Sequence, residues 1–187
     1  MKQAYDQLQV KGDKRSKGFS LIEVMIVIAI LGILATISVV AFQHQRINAF
    51  NSAALTVLGT IAKHEESLFL DASAYGTTNT DSTAVAQGKG SLITGGAAAG
   101  YLVSSQNSSS NPQFREFWVS EGVSVVVAAD STYQSFVVTS KHASGDRRYC
   151  FDSESGKIYY DYTYVAGQAL TWSGGLLHCP AANMTEL

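Results

Sequence analysis

Nineteen consecutive residues without a charge, 24–42 (VMIVIAILGILATISVVAF), constrain this chain more than any other feature. An α-helix needs about 20 apolar residues to cross the hydrocarbon core of a bilayer. Twelve of the nineteen are Leu, Ile, Val or Phe. At about 0.3–0.6 kcal/mol each, their summed preference for the membrane reaches at most about 4–7 kcal/mol. Ahead of the run lie Lys2, Lys11, Lys14, Arg15 and Lys17 against Asp6 and Asp13, a local net charge of +3. A basic flank of this kind stays on the cytoplasmic side, which predicts that everything beyond residue 42 lies across the membrane. A secretory signal would place small residues and a cleavage site after its apolar stretch. Here Ala35, Thr36 and Ser38 lie inside the run, and a helical pattern continues past it.

Composition removes several classes of function. With 13 Lys and Arg against 15 Asp and Glu the net charge is −2, unlike the strongly basic surface of a general nucleic-acid binder. Two cysteines cannot build a four-cysteine zinc site, and the sequence contains no CxxCH, GxxxxGK[ST] or HExxH pattern. His44, His64, His142 and His178 are scattered over different elements, without a second ligand at i+4. Asp152 and Glu154 flank a turn, but two carboxylates fall short of the about six to eight oxygens that calcium takes. The expectation is a chain with no catalytic residues, no metal and no cofactor.

The junction before the apolar run is sharper than a plain anchor. It reads KGFSLIEVMIVIAILGILA over residues 17–35, with a glutamate, Glu23, inside an otherwise apolar helix. An ionisable residue in such a segment points to function because it is costly there. This passage resembles the class III prepilin signature of type IV pilins and type II secretion pseudopilins. The resemblance implies that a membrane prepilin peptidase cuts after Gly18 and that the new terminal residue, Phe19, is N-methylated. Physical chemistry gives Glu23 a role in such a molecule. An α-amino group titrates near about 8, so the freed Phe19 amine is mostly protonated at neutral pH. Glu23, at a helix N-terminus that favours negative charge, can then meet the Phe19 amine of a neighbouring copy in a dry setting and set the register of assembly. Removing one partner of a buried pair typically costs about 3–5 kcal/mol. The sequence departs from the commonest family pattern in lacking a proline in the second half of the apolar helix, where Ser38, Val39, Val40 and Ala41 stand. Gly32 is the weak point of that run, at about 1 kcal/mol relative to Ala in a helix.

Beyond residue 42, Ile47, Phe50, Ala54, Val57, Ile61 and Leu68 recur at spacings of three and four, with a polar slot near His64 and Glu65. Gln43, Gln45, Arg46, Asn48, Asn51, Lys63 and Glu66 occupy the other faces. The pattern predicts a helix from about 19 to 74, roughly 80 Å long at 1.5 Å per residue, with Gly76 as its stop. Residues 76–111 are rich in Gly, Ser, Ala, Thr and Asn and read as a long surface connection, pinned by an apolar piece at 101–103. Asn107-Ser108-Ser109 matches a glycosylation sequon, a weak signal, and the clustered serines read mainly as a polar loop. From 122 onward the period switches to two. Runs at 123–129, 133–141, 147–152 and 157–162 are separated by Asp, Ser and Gly turn residues, and Tyr149, Phe151, Tyr159, Tyr160, Tyr162 and Tyr164 fall at strand spacing for cross-strand pairing. Such short connections allow only antiparallel hairpins.

The fold class expected is α+β: a long N-terminal helix, membrane-spanning in its first half, packed against a four-stranded antiparallel sheet with a disulfide-bounded C-terminal loop. The resemblance implies the same fold. Cys150 and Cys179, on the far side of the membrane, can be oxidised. A bridge closing 28 intervening residues is worth about 3–4 kcal/mol on the chain-entropy account, and a similar disulfide bounds the C-terminal loop of type IV pilins. The segments expected are a leader removed on maturation (1–18), a membrane and filament-core half-helix (19–45), an amphipathic half-helix (46–75), a connecting loop (76–121), the sheet (122–162) and a C-terminal region (163–187). Loss of the leader leaves 8 basic and 13 acidic side chains, a net charge of −5.

The function expected is that of a structural subunit, the major pilin of a type IV pilus. Its partners would be further copies of itself in a helical filament, the prepilin peptidase, the inner-membrane assembly machinery and membrane lipid before assembly, with nucleic acid only if the pilus serves DNA uptake. Its location would be the inner membrane as precursor and the cell surface as filament. A major pseudopilin of a type II secretion system and a signal-anchored periplasmic binding module are the alternatives.

Overall fold

The computed structural model describes residues 18–86, 88–96, 100–162, 166–171, 179–181 and 183–187. The leader apart from Gly18, Tyr164 and His178 lie outside these. The chain divides into two compact units between Phe42 and Gln43. Helix α1 (Leu21–Ala72) starts where the carbonyl of Ser20 accepts the N–H groups of Glu23 and Val24 at 3.0 and 3.3 Å. Along 21–42 its side chains are all exposed.

In the second unit α1 becomes amphipathic. Ala54, Val57, Leu58, Ile61 and Leu68 are buried, and Ile47 and Phe50 are half-buried, as the periodicity predicts. Two polar residues depart from expectation. Asn51, assigned to the outer face, is buried because its amide donates to Asp146 Oδ1 at 2.7 Å while its Oδ1 accepts the Arg147 N–H at 3.3 Å. Glu65 fills the polar slot of the stripe and is itself fully buried. The helix ends without the help of Gly76. Ser73 takes the left-handed conformation (φ 54°) and its N–H reaches the Phe69 carbonyl at 2.7 Å, the usual closing geometry of a helix C-terminus. Gly76 instead opens the first strand, where a Cβ would stand 2.7 Å from Leu68 Cδ2 and 2.9 Å from the Val103 carbonyl oxygen.

The sheet expected to have four strands is larger. Among the described residues the strands are β1 (Gly76–Asn79), β2 (Ile93–Thr94), β3 (Gly100–Ser104), β4 (Phe114–Phe117), β5 (Val123–Ala129), β6 (Phe136–His142), β7 (Arg148–Asp152), β8 (Lys157–Asp161) and β9 (Thr185–Glu186). They form two antiparallel sheets, β1-β3-β4 and β2-β5-β6-β7-β8-β9. The four expected runs are β5 to β8. The first four strands all come from 76–121, which the composition assigned to a loop. Their runs are only two to five residues long and carry little periodic signal, and tertiary pairing decides them. β1 packs on β5 through Thr78, whose hydroxyl accepts the Val127 N–H at 3.0 Å and donates to the Ser91 carbonyl at 2.6 Å. With β1 and β2 beside it, β5 is buried at all seven positions, which is why its run is Val and Ala but for the small Ser124.

β6 begins three residues later than expected. Asp130 folds 130–135 into a turn by accepting the N–H groups of Thr132 (2.9 Å), Gln134 (2.8 Å) and Ser135 (3.0 Å). The core gathers Leu58, Ile61 and Leu68 of α1 with Ile93, Leu102, Phe117, Val123, Val125, Val127, Phe136, Val138 and Tyr149 of the sheets.

The disulfide Cys150–Cys179 is formed. It ties the C-terminal region to β7, and β9 then pairs with β8, with Lys157 Nζ 2.9 Å from Glu186 and the Leu187 N–H 2.9 Å from the Ile158 carbonyl. A second tie is independent of sulfur. Lys141, fully buried in β6, donates to the carbonyls of His142 (3.0 Å), Gly145 (3.1 Å) and Gln168. The Gly167 N–H reaches the Ala143 carbonyl at 2.8 Å, and Leu170 is buried.

Candidate functional site

The candidate site is the first unit, whose chemistry is set by what it leaves uncovered. Gly18 and Phe19 precede α1, with Phe19 83% exposed. Glu23 stands in the first turn, where the unpaired N–H groups of a helix favour a carboxylate. The large apolar side chains from Leu21 to Phe42 are exposed all round the helix. A contiguous apolar surface of this kind on a single chain marks a membrane or protein contact. The two hydroxyls in the run do not oppose it. Thr36 donates to the Ile33 carbonyl at 2.7 Å and Ser38 to the Leu34 carbonyl at 2.8 Å, so each is satisfied within its own helix and neither hydroxyl donor is left unpaired in an apolar surrounding. The helix is long and apolar enough to cross a membrane. Gly32 meets nothing within 4 Å where a Cβ would be, so no contact within the chain requires it.

One described histidine, His142, has a local explanation. His142 stacks on Phe50 with ring centroids 4.3 Å apart and accepts the Ser144 N–H on Nδ1 at 3.0 Å; burial, with the Lys141 charge, holds its pKa below the usual value. His44 is exposed. Asp152 accepts the Glu154 N–H at 3.1 Å as part of a turn. Among the described residues, no three His, Cys, Asp or Glu side chains gather as metal ligands. Asn107 of the sequon is buried, its amide donating to the carbonyls of Ser82 (2.8 Å) and Ala84 (2.5 Å) and its oxygen accepting the Gln113 N–H (2.8 Å). A side chain so committed is closed to attachment of a sugar in the folded chain.

Sequence reasoning left Glu65 as a polar interruption and missed that its carboxyl is strongly perturbed, more than any other carboxyl among the described residues of the second unit, the head. Burial drives its pKa up, the Gly76 N–H lowers it and the neighbouring Glu66 raises it again, to about 8. The signal was present in its spacing, four residues after Ile61 and three before Leu68. Lys141 gave less warning, since strand alternation does not show which face a long cationic side chain takes.

Residues 13–39 match the family model described as the prokaryotic N-terminal methylation motif. The match spans the end of the basic leader, Gly18, Phe19, Glu23 and most of the apolar run. The chain carries the class III prepilin signature at the head of an apolar helix. No solved structure matches it.

Proposed function

We propose that the chain is a structural subunit of a type IV pilus, its major pilin. It is made as a single-pass inner-membrane precursor, cut after Gly18 by the prepilin peptidase, methylated on Phe19 and polymerised through the first half of α1. The observation that carries this reading is the coincidence of the methylation motif with a helix whose apolar side chains are exposed from Leu21 to Phe42. A surface of that kind suits lipid in storage and neighbouring helices in a filament. Glu23 sets register by pairing with the Phe19 amine of the adjacent copy, and the assembly machinery of the inner membrane extracts the subunit. The chain performs no reaction of its own, and the disulfide-tied C-terminal region favours pilin over pseudopilin.

Intact-mass analysis of shed filaments tests the processing step. A subunit beginning at Phe19 with one added methyl group supports it, and a subunit retaining residues 1–18 overturns it. Long surface filaments seen by electron microscopy distinguish the pilin from a pseudopilin.

A further inference from the structure

Glu65 has a fully buried carboxyl between Ile61 and Leu68, in the apolar stripe of α1. One oxygen, Oε2, accepts the N–H of Gly76 at 2.8 Å, and the other, Oε1, has no partner among the described residues. Gly76 is the first residue of β1 and lies beyond a tight corner built from Ser73, Ala74 and Tyr75. The corner joins α1 to both sheets. The Tyr75 N–H reaches the Tyr133 carbonyl at 2.9 Å, the Tyr75 ring lies 4.5 Å from Phe69 and 4.6 Å from Phe136, and Gly76 pairs with Ser104 of β3.

Among the described residues, the groups that surround Glu65 offer no compensating cation. On α1 itself Glu66 is a second carboxyl, whose oxygens both take the Tyr75 hydroxyl at 3.2 Å, and His64 holds a buried Nδ1 without a partner. Tyr75 is the titratable group of the corner, and Glu66 and Glu65 help burial push its hydroxyl up to about 12. Tyr133 comes from the β5–β6 turn and directs its hydroxyl to the Ala86 carbonyl. From β4, Arg115 commits its guanidinium to Asp71 and Ser67. An ionised Glu65 would therefore be a buried charge beside a like charge, with one hydrogen bond to hold it. Both forms accept the Gly76 N–H, but only the neutral one avoids burying a charge, and that burial outweighs the stronger hydrogen bond a carboxylate would make.

We propose that Glu65 and the Gly76 amide form a proton-controlled latch, closed over the α1–β1 corner while the carboxyl is neutral and loosened as the carboxyl ionises. Opening the corner to water returns the carboxyl to its ordinary behaviour near 4.5, whereas the closed corner holds it neutral to about 8. Between those values only the open form ionises, so opening becomes more favourable by about tenfold per pH unit and levels off above pH 8. The latch is tightest in acid. It belongs to the head alone and does not depend on whether the chain assembles into a filament.

The test is amide hydrogen exchange at Gly76, read by NMR on the full chain in detergent micelles and expressed as a protection factor so that the base catalysis of exchange is removed. The expected result is a protection factor that falls about tenfold per pH unit from about pH 5 to 8 in the wild type and stays level in Glu65→Gln, which keeps the acceptor but cannot ionise. A level profile in the wild type, or an equal fall in both proteins, overturns the latch. Should Glu65→Gln fail to fold, the carboxyl carbon of Glu65 is titrated in the wild type: a midpoint near 8 supports the proposal and one near 4.5 refutes it.

Discussion

At residue 65 the helical period asks for an aliphatic side chain, and the chain supplies a carboxyl whose pKa is raised to about 8. A carboxyl raised on folding adds stability that is fully present below its unfolded value of 4.5 and lost as pH rises through 8. Relative to Glu65→Gln, the wild type should lose up to about 1.4 kcal/mol of stability per pH unit across that window. Denaturant titration of both proteins at pH 5, 6.5 and 8 measures the slope, and parallel curves would contradict the assignment. Gly76 illustrates the opposite case, a small residue demanded by its neighbours. Gly76→Ala drives a methyl group against Leu68 Cδ2 and the Val103 carbonyl, at 2.7 and 2.9 Å. A loss of about 1–3 kcal/mol is expected, visible as a lowered thermal midpoint. The spacing marked position 65 as a polar interruption of the stripe, but burial of the carboxyl and the role of Gly76 as a strand residue depend on β1 and β3 closing over the helix end.

Among the elements, the C-terminal region is held by two unlike devices. The disulfide Cys150–Cys179 shortens the unfolded chain's freedom, while Lys141 binds three backbone carbonyls from inside β6. Burial lowers the pKa of this lysine, opposed by the charge of Asp146, but the contacts require only that it keep its donors. Lys141→Met keeps most of the stem and takes the ammonium donor from the Gly145 and Gln168 carbonyls, while the His142 carbonyl still accepts the Gly145 N–H; each buried group left unsatisfied costs about 1–3 kcal/mol. Hydrogen exchange should show 166–171 released, with the amide of Gly167 losing protection while β9 remains paired. Reduction of the disulfide should do the reverse, freeing β9 and sparing Gly167. If either treatment released both segments together, the two ties would be one cooperative unit. The small sheet makes a related point about loops. Thr78 and Asn107 look like connector residues in the sequence, yet one joins the two sheets and the other closes the loop onto the carbonyls of Ser82 and Ala84.

For the whole molecule, the proposed division of labour is between a helix segment that associates and a head that is presented. Glu23→Ala tests it, because removing one partner of a buried ion pair should abolish register at a cost of about 3–5 kcal/mol per contact. The expected outcome is a precursor that is processed and remains in the membrane fraction, with no filaments by microscopy. Normal filament yield from this variant would remove Glu23 from assembly, and full function without any filaments would favour a membrane-anchored binding module. Net charge enters at the same scale. The proposed cleavage would take the chain from −2 to −5, since five of its 13 basic and two of its 15 acidic side chains lie ahead of Gly18, so the processed subunit would be acidic and its contacts with anionic surfaces should weaken at low salt.

The sequence by itself determined the features that depend on local order and spacing. These are the apolar helix, its basic flank, the Gly18-Phe19-Glu23 junction, the stripe from Ala54 to Leu68 and the hairpin strands β5 to β8, because charge, hydropathy and period are legible along the chain. Only the tertiary structure decided the rest. Strands β1 to β4 form because β5 and the helix end offer them partners. Asn51, Glu65, Asn107 and Lys141 are polar residues whose burial follows from groups between 11 and 96 positions away, and no window of neighbouring residues contains that information.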